Sequence, residues 1–145
     1  MSIRPTLTQR DHAILSGLAK QNGLVSAAYY KQLTDKLRHA LIIDVDAVEP
    51  ELATIGSFLR YRVNGARVLE HKLVLQPERG NAQHALSIKT PRGLGLLGMW
   101  QDETVTLAPV NQDRPEVLEL EMVLFQPEAD GIVIRPGDCN LSREF

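Results

Sequence analysis

The sequence predicts an α+β protein, a short antiparallel helical hairpin followed by an antiparallel sheet that carries one short helix. Three observations carry this reading. Apolar residues recur at helical spacing over the first 50 positions. From Leu52 onward apolar and polar residues alternate with period two. Between two such strands, Leu86 to Val105 reads LSIKTPRGLGLLGMWQDETV: strand, Pro-Gly turn, glycine-bearing helix, acidic turn, strand.

The first helix opens at Thr8, with Asp11 three residues on in the pattern of a capping box. Ile14, Leu15 and Leu18 form its apolar stripe, and Gln21-Asn22-Gly23 ends it, with Asn22 or Gly23 taking the left-handed cap. Ser26 caps the second helix, where Tyr30, Leu33, Leu37 and Ala40 follow the spacing of a two-helix seam as far as Ile42. That seam also offers a way for two copies to pair as a homodimer. Residues 43–51, IDVDAVEPE, break the helix as a connector. Strands then follow: Phe58 to Val63, an Asn64-Gly65 hairpin turn, and a return strand from Ala66 to Leu75. A polar loop from Glu78 to Gln83 leads to the strand at Leu86. Thr90-Pro91-Arg92-Gly93 forces a turn, and Leu94 to Met99 is the short helix. The strand Thr104 to Leu107, a turn at residues 111–115 and the strand Val117 to Phe125 complete the sheet. The domains read as a hairpin and connector over 1–50, a β domain over 51–131 and a tail over 132–145.

Composition narrows the function. The net charge of −2 argues against a free-standing nucleic-acid binder, so any contact with DNA is indirect. The single cysteine, Cys139, excludes an internal disulfide and a multi-thiolate zinc site. No apolar run approaches a membrane span, and the N-terminus lacks the apolar stretch of a secretory signal. The expectation is a cytoplasmic protein that binds no membrane.

Three segments carry a family resemblance: Asp44 to Ser57 (DVDAVEPELATIGS), Leu86 to Gly98 (LSIKTPRGLGLLG) and Val117 to Gly131 (VLELEMVLFQPEADG). Together they resemble the C-terminal domain of bacterial Gre-type transcript-cleavage factors, and most of all the shorter relatives called regulators of nucleoside diphosphate kinase. The resemblance runs from Lys36 to Gly131. It implies an N-terminal antiparallel coiled coil, an FKBP-like domain, and bacterial RNA polymerase as the partner, met at the rim of its secondary channel. It also implies that the proline-bearing turn, Thr90, Pro91, Arg92 and Gly93, belongs to the docking surface.

Two departures shape the expected activity. Full-length cleavage factors carry acidic residues at the coiled-coil tip, because a hard cation needs carboxylate oxygens. The expected tip here, Lys20 to Ser26, contains no acid. A helix of about a dozen residues also spans only roughly 18 Å. Transcript cleavage is therefore disfavoured. Second, the family has Gly-Asp after the short helix where this chain has Asp102-Glu103.

Other residues read more plainly. His12, His39, His71 and His84 lack metal-ligand spacing, and no metal or other cofactor is implied. Cys139 has no histidine nearby in sequence to activate it. Asp44, Asp46, Glu49 and Glu51 read as solvated connector residues. Arg60, Arg62 and Lys89 form a basic patch for an acidic partner if they converge. The reading is a non-enzymatic transcription regulator with no catalytic residues, which binds RNA polymerase without stimulating cleavage. The alternatives are an FKBP-like prolyl isomerase, for which Trp100 is the aromatic to examine, and a regulator of another protein such as nucleoside diphosphate kinase.

Overall fold

The computed structural model describes residues 4–21, 26–76, 84–107 and 114–129. Cys139, the tail after residue 130, the loop at 78–83 and the residues proposed for the first helix cap (Asn22, Gly23) lie outside them. In chain order the elements are β1 (Thr6–Thr8), α1 (Gln9–Ala19), α2 (Ala27–His39), β2 (Leu41–Ile43), a 3-10 turn (Val45–Ala47), β3 (Phe58–Val63), β4 (Arg67–Val74), β5 (Ala85–Ser87), α3 (Pro91–Leu96), β6 (Thr104–Leu107) and β7 (Glu116–Phe125).

Local chemistry sets the helix ends. The Thr8 hydroxyl accepts from the Asp11 backbone N–H at 3.0 Å, as a cap should. The Asp11 carboxylate does not complete the box. It is fully buried and accepts instead from the Arg10 guanidinium at 2.9 Å and the Ile55 N–H at 3.1 Å. Ser26 caps α2 by accepting from Tyr29 N–H at 3.1 Å.

Helix α2 stops at His39, short of the expected Ile42, because Leu41–Ile43 forms a parallel pair with Thr6–Thr8. β-Branched Ile42 and Ile43 favour that extended path. The expected seam holds at Leu33, Leu37 and Ala40 and differs at its first position, where Tyr29 replaces Tyr30. Tyr29 and Leu33 are buried, whereas Tyr30 is 47% exposed. Helix α3 begins earlier than Leu94, because Pro91 sits at its first turn behind the Thr90 cap, where proline's missing N–H costs nothing.

The main sheet has the order β5-β4-β3-β7-β6. The hairpin β3–β4 turns at Asn64-Gly65, both left-handed at φ 53° and 72° as the turn requires. β7 pairs antiparallel with β3 and β6, and two register shifts bend its pairing with β3. The expected all-antiparallel sheet is corrected at one edge: β4 and β5 run parallel. A single apolar cluster joins Leu15, Leu18, Tyr29 and Leu33 of the helices to Leu59, Tyr61, Leu118 and Leu120 of the sheet.

Candidate functional site

The Thr90–Gly93 turn is built from the inside out. The Thr90 hydroxyl donates to the Ser87 carbonyl at 2.7 Å and accepts from Gly93 N–H at 3.1 Å. Gly93 packs so closely on the preceding strand that a Cβ there would lie 2.1 Å from the Ser87 carbonyl oxygen. Arg92 is held by a bidentate pair to Glu116 of β7, at 3.0 and 2.8 Å. That pairing raises the Arg92 pKa and lowers that of Glu116. Of the four expected docking residues, Gly93 is buried, Thr90 and Arg92 are half-buried, and Pro91 is exposed.

Helix α2 fastens this segment to the body. Tyr29, Gln32 and Lys36 lie on one helical face and each donates to a backbone carbonyl of the segment from Ile88 to Leu97, which holds the turn and α3. Tyr29 Oη reaches Ile88 O at 2.5 Å, Gln32 Nε2 reaches Pro91 O at 2.9 Å, and Lys36 Nζ reaches Leu97 O. Sequence patterning placed the seam at Tyr30, Leu33, Leu37 and Ala40 and missed this adjoining polar face. The spacing 29-32-36 was the available signal.

Between α2, α3 and β6 runs a groove of about 610 Å³. Its walls include Tyr29, Gln32 and Lys36 on one side and Thr104 and Thr106 on the other, with Pro91 and Gly95 along α3. Burial pushes the Lys36 amine down from 10.5 to about 7. The neighbouring Asp35 carboxylate pairs with Lys31 at 2.9 Å instead.

The expected basic patch does not gather as free charge. Arg60 pairs with Glu70 at 2.8 Å and Arg62 with Glu121 at 2.7 Å, across β4 and β7 respectively. Lys89 is exposed beside the Thr90–Gly93 turn, on a different element. The acidic connector residues Asp44, Asp46, Glu49 and Glu51 are all exposed. His71 Nδ1 lies 2.8 Å from Tyr61 Oη, and no cluster suited to a metal ion occurs among the described residues. Trp100 does not line the groove; its indole N–H donates to the Thr6 hydroxyl at 3.2 Å. Asp102 takes φ 77°, the left-handed conformation that glycine favours. No described helix is long and apolar enough to cross a membrane.

Among solved structures, a prokaryotic transcription elongation factor GreA/GreB from Nitrosomonas europaea matches with a TM-score of 0.61 and 21% identity, covering 86% of this chain and 100% of that one. The GreA factor homolog 1 (Gfh1) protein of Thermus thermophilus matches with a TM-score of 0.38 and 14% identity, over 82% of this chain and 97% of that one. Thermus aquaticus Gfh1 gives a TM-score of 0.40 and 14% identity over 82% and 97%. No protein-family model matches the sequence, and no curated protein matches it. The Nitrosomonas likeness is one of fold, and it spans the whole of that chain.

Proposed function

We propose that this chain is a Gre-type transcription regulator, of the shorter kind that the regulators of nucleoside diphosphate kinase represent. In this reading it binds bacterial RNA polymerase at the rim of the secondary channel through an FKBP-like domain. It touches DNA only indirectly and does not stimulate transcript cleavage. The fold shared with the Nitrosomonas elongation factor supports the family. The observation that carries the docking role is Pro91, exposed at the head of α3 on a turn pinned by Thr90, Gly93 and the Arg92–Glu116 pair. A rigid exposed loop loses little entropy on binding.

Chemistry and length support the non-cleaving role. Lys20 to Ser26 offers no carboxylate, and helices of 11 and 13 residues span only roughly 16 to 20 Å. The test is capture of purified core RNA polymerase by wild type and by Pro91→Asp. Wild type is expected to retain polymerase and the variant to lose it. Equal retention by both removes the docking turn, and no retention by either removes the polymerase reading. Stimulated cleavage in backtracked complexes would overturn the non-cleaving role.

A further inference from the structure

We infer that the groove between α2 and β6 is the seat of an extended, carboxylate-bearing segment of the polymerase, which adds to the β6 edge and sets its carboxylate against Lys36. This rests on the reading that the chain binds RNA polymerase, and it extends the docking surface beyond the Pro91 turn.

Three independent features converge there. The first is an open edge. β6 is the terminal strand of the sheet order and pairs only with β7 among the described residues. Antiparallel strands alternate the direction of their backbone groups, so every second residue of Thr104–Leu107 turns its N–H and C=O away from β7. Thr104 and Thr106 are exposed. Such an edge accepts a further strand, with main-chain hydrogen bonds supplying affinity.

The second is the charge in the opposite wall. Lys36 lines the groove, and among the described residues no carboxylate forms an ion pair with it. Its one described partner is the neutral Leu97 carbonyl. Asp35 is engaged by Lys31, and the Glu103 carboxylate accepts from Trp100 N–H at 2.8 Å. A desolvated amine without a counter-ion is costly, and an incoming carboxylate would supply one. The groove's other lysine, Lys31, is already matched by Asp35, and Glu103 is turned to the Trp100 backbone, so Lys36 is the lining charge left to draw an acidic occupant.

The third is continuity. Pro91 belongs to both the turn and the groove, so one partner surface can engage both.

The experiment labels the single cysteine, Cys139, and follows binding to purified core RNA polymerase by fluorescence anisotropy. Lys36→Met is expected to weaken binding about tenfold or more, the cost of truncating one member of a buried charge pair, while Lys36→Arg retains most of it. Thermal melts of each variant exclude misfolding. Hydrogen exchange at the Thr104–Leu107 amides is expected to slow in the complex. Wild-type binding that Lys36→Met preserves overturns the groove assignment alone, as does unchanged exchange along β6. No wild-type binding overturns the polymerase reading and the groove assignment with it.

Discussion

Gly93 and Ser87 touch through backbone: a Cβ on Gly93 would come within 2.1 Å of the Ser87 carbonyl oxygen. Nothing flexible separates them, so Gly93→Ala must move either α3 or the end of β5. The expected cost is on the order of 3 kcal/mol, the upper range for overpacking, and a fall in Tm of roughly 10 °C. Gly95 is the control. Its added Cβ would press on the tip of the Leu107 side chain, at 2.8 Å, which can rotate aside, and would meet Gln32 and Leu118 at an ordinary 3.7 Å. Alanine also favours helix over glycine by about 1 kcal/mol. Gly95→Ala should therefore melt within a few degrees of wild type. Equal losses in both variants would mean that the turn is no more constrained than the helix it starts.

Tyr29 and Tyr30 are adjacent in sequence and opposite in environment. Tyr29 is buried with its hydroxyl 2.5 Å from Ile88 O, and Tyr30 is 47% exposed. Tyr29→Phe leaves a buried carbonyl without its donor, which costs about 1 to 3 kcal/mol. Tyr30→Phe should stay within about 0.5 kcal/mol of wild type, as surface changes do. Urea unfolding of the two variants reads the register of α2 directly, and a reversed order would place the helix one residue out.

This pair also marks where sequence reasoning stopped. Local rules located what local chemistry decides. Asn64-Gly65 demanded a left-handed turn, Thr8 and Ser26 were caps, and β3, β6 and β7 alternated visibly. What failed depended on distant partners. A tyrosine at 29 or at 30 fits a helical seam equally well until Ile88 supplies an acceptor. The β1–β2 pair joins Thr6 to Leu41, and three-residue strands carry no period of their own. The parallel β4–β5 pairing likewise depends on a chain reversal outside the local pattern. At the Thr90–Gly93 turn the residue types were legible but their exposure was not. Pro91 faces solvent, whereas the Arg92 guanidinium is spent on Glu116, a contact 24 residues away.

Asp102 holds a left-handed backbone at φ 77°, and its N–H donates to Leu120 O at 2.7 Å. The backbone hydrogen bond does not need the side chain, so glycine can make it without the steric cost. An L-residue in this region costs about 1 to 2 kcal/mol, less for Asp than for most. Against that, glycine gives the unfolded chain more freedom. Asp102→Gly should therefore raise stability by about 0.5 kcal/mol or more, seen as a higher urea midpoint with an unchanged slope. A lowered midpoint would show that the Asp102 side chain stabilises the turn through a contact of its own.

Lys36 sets the pH dependence of stability on the alkaline side. Burial lowers its pKa from 10.5 to about 7 in the folded chain. Between those values the unfolded lysine holds a proton that the folded one releases, so stability rises with pH across this window and is lost as pH falls toward 7. Tyr29 acts in the opposite sense but at higher pH. Burial pushes its phenol from 10.0 up to about 12, so stability falls only as pH climbs above 10. The interval from about pH 7.5 to 9.5 therefore reports Lys36 before tyrosine ionises. The urea midpoint of wild type should rise across it, and that of Lys36→Met should rise less and stand higher at the acid end. Parallel curves for the two proteins would mean that the Lys36 ammonium stays hydrated in the folded state, and the groove would then lack the uncompensated charge that calls for a carboxylate.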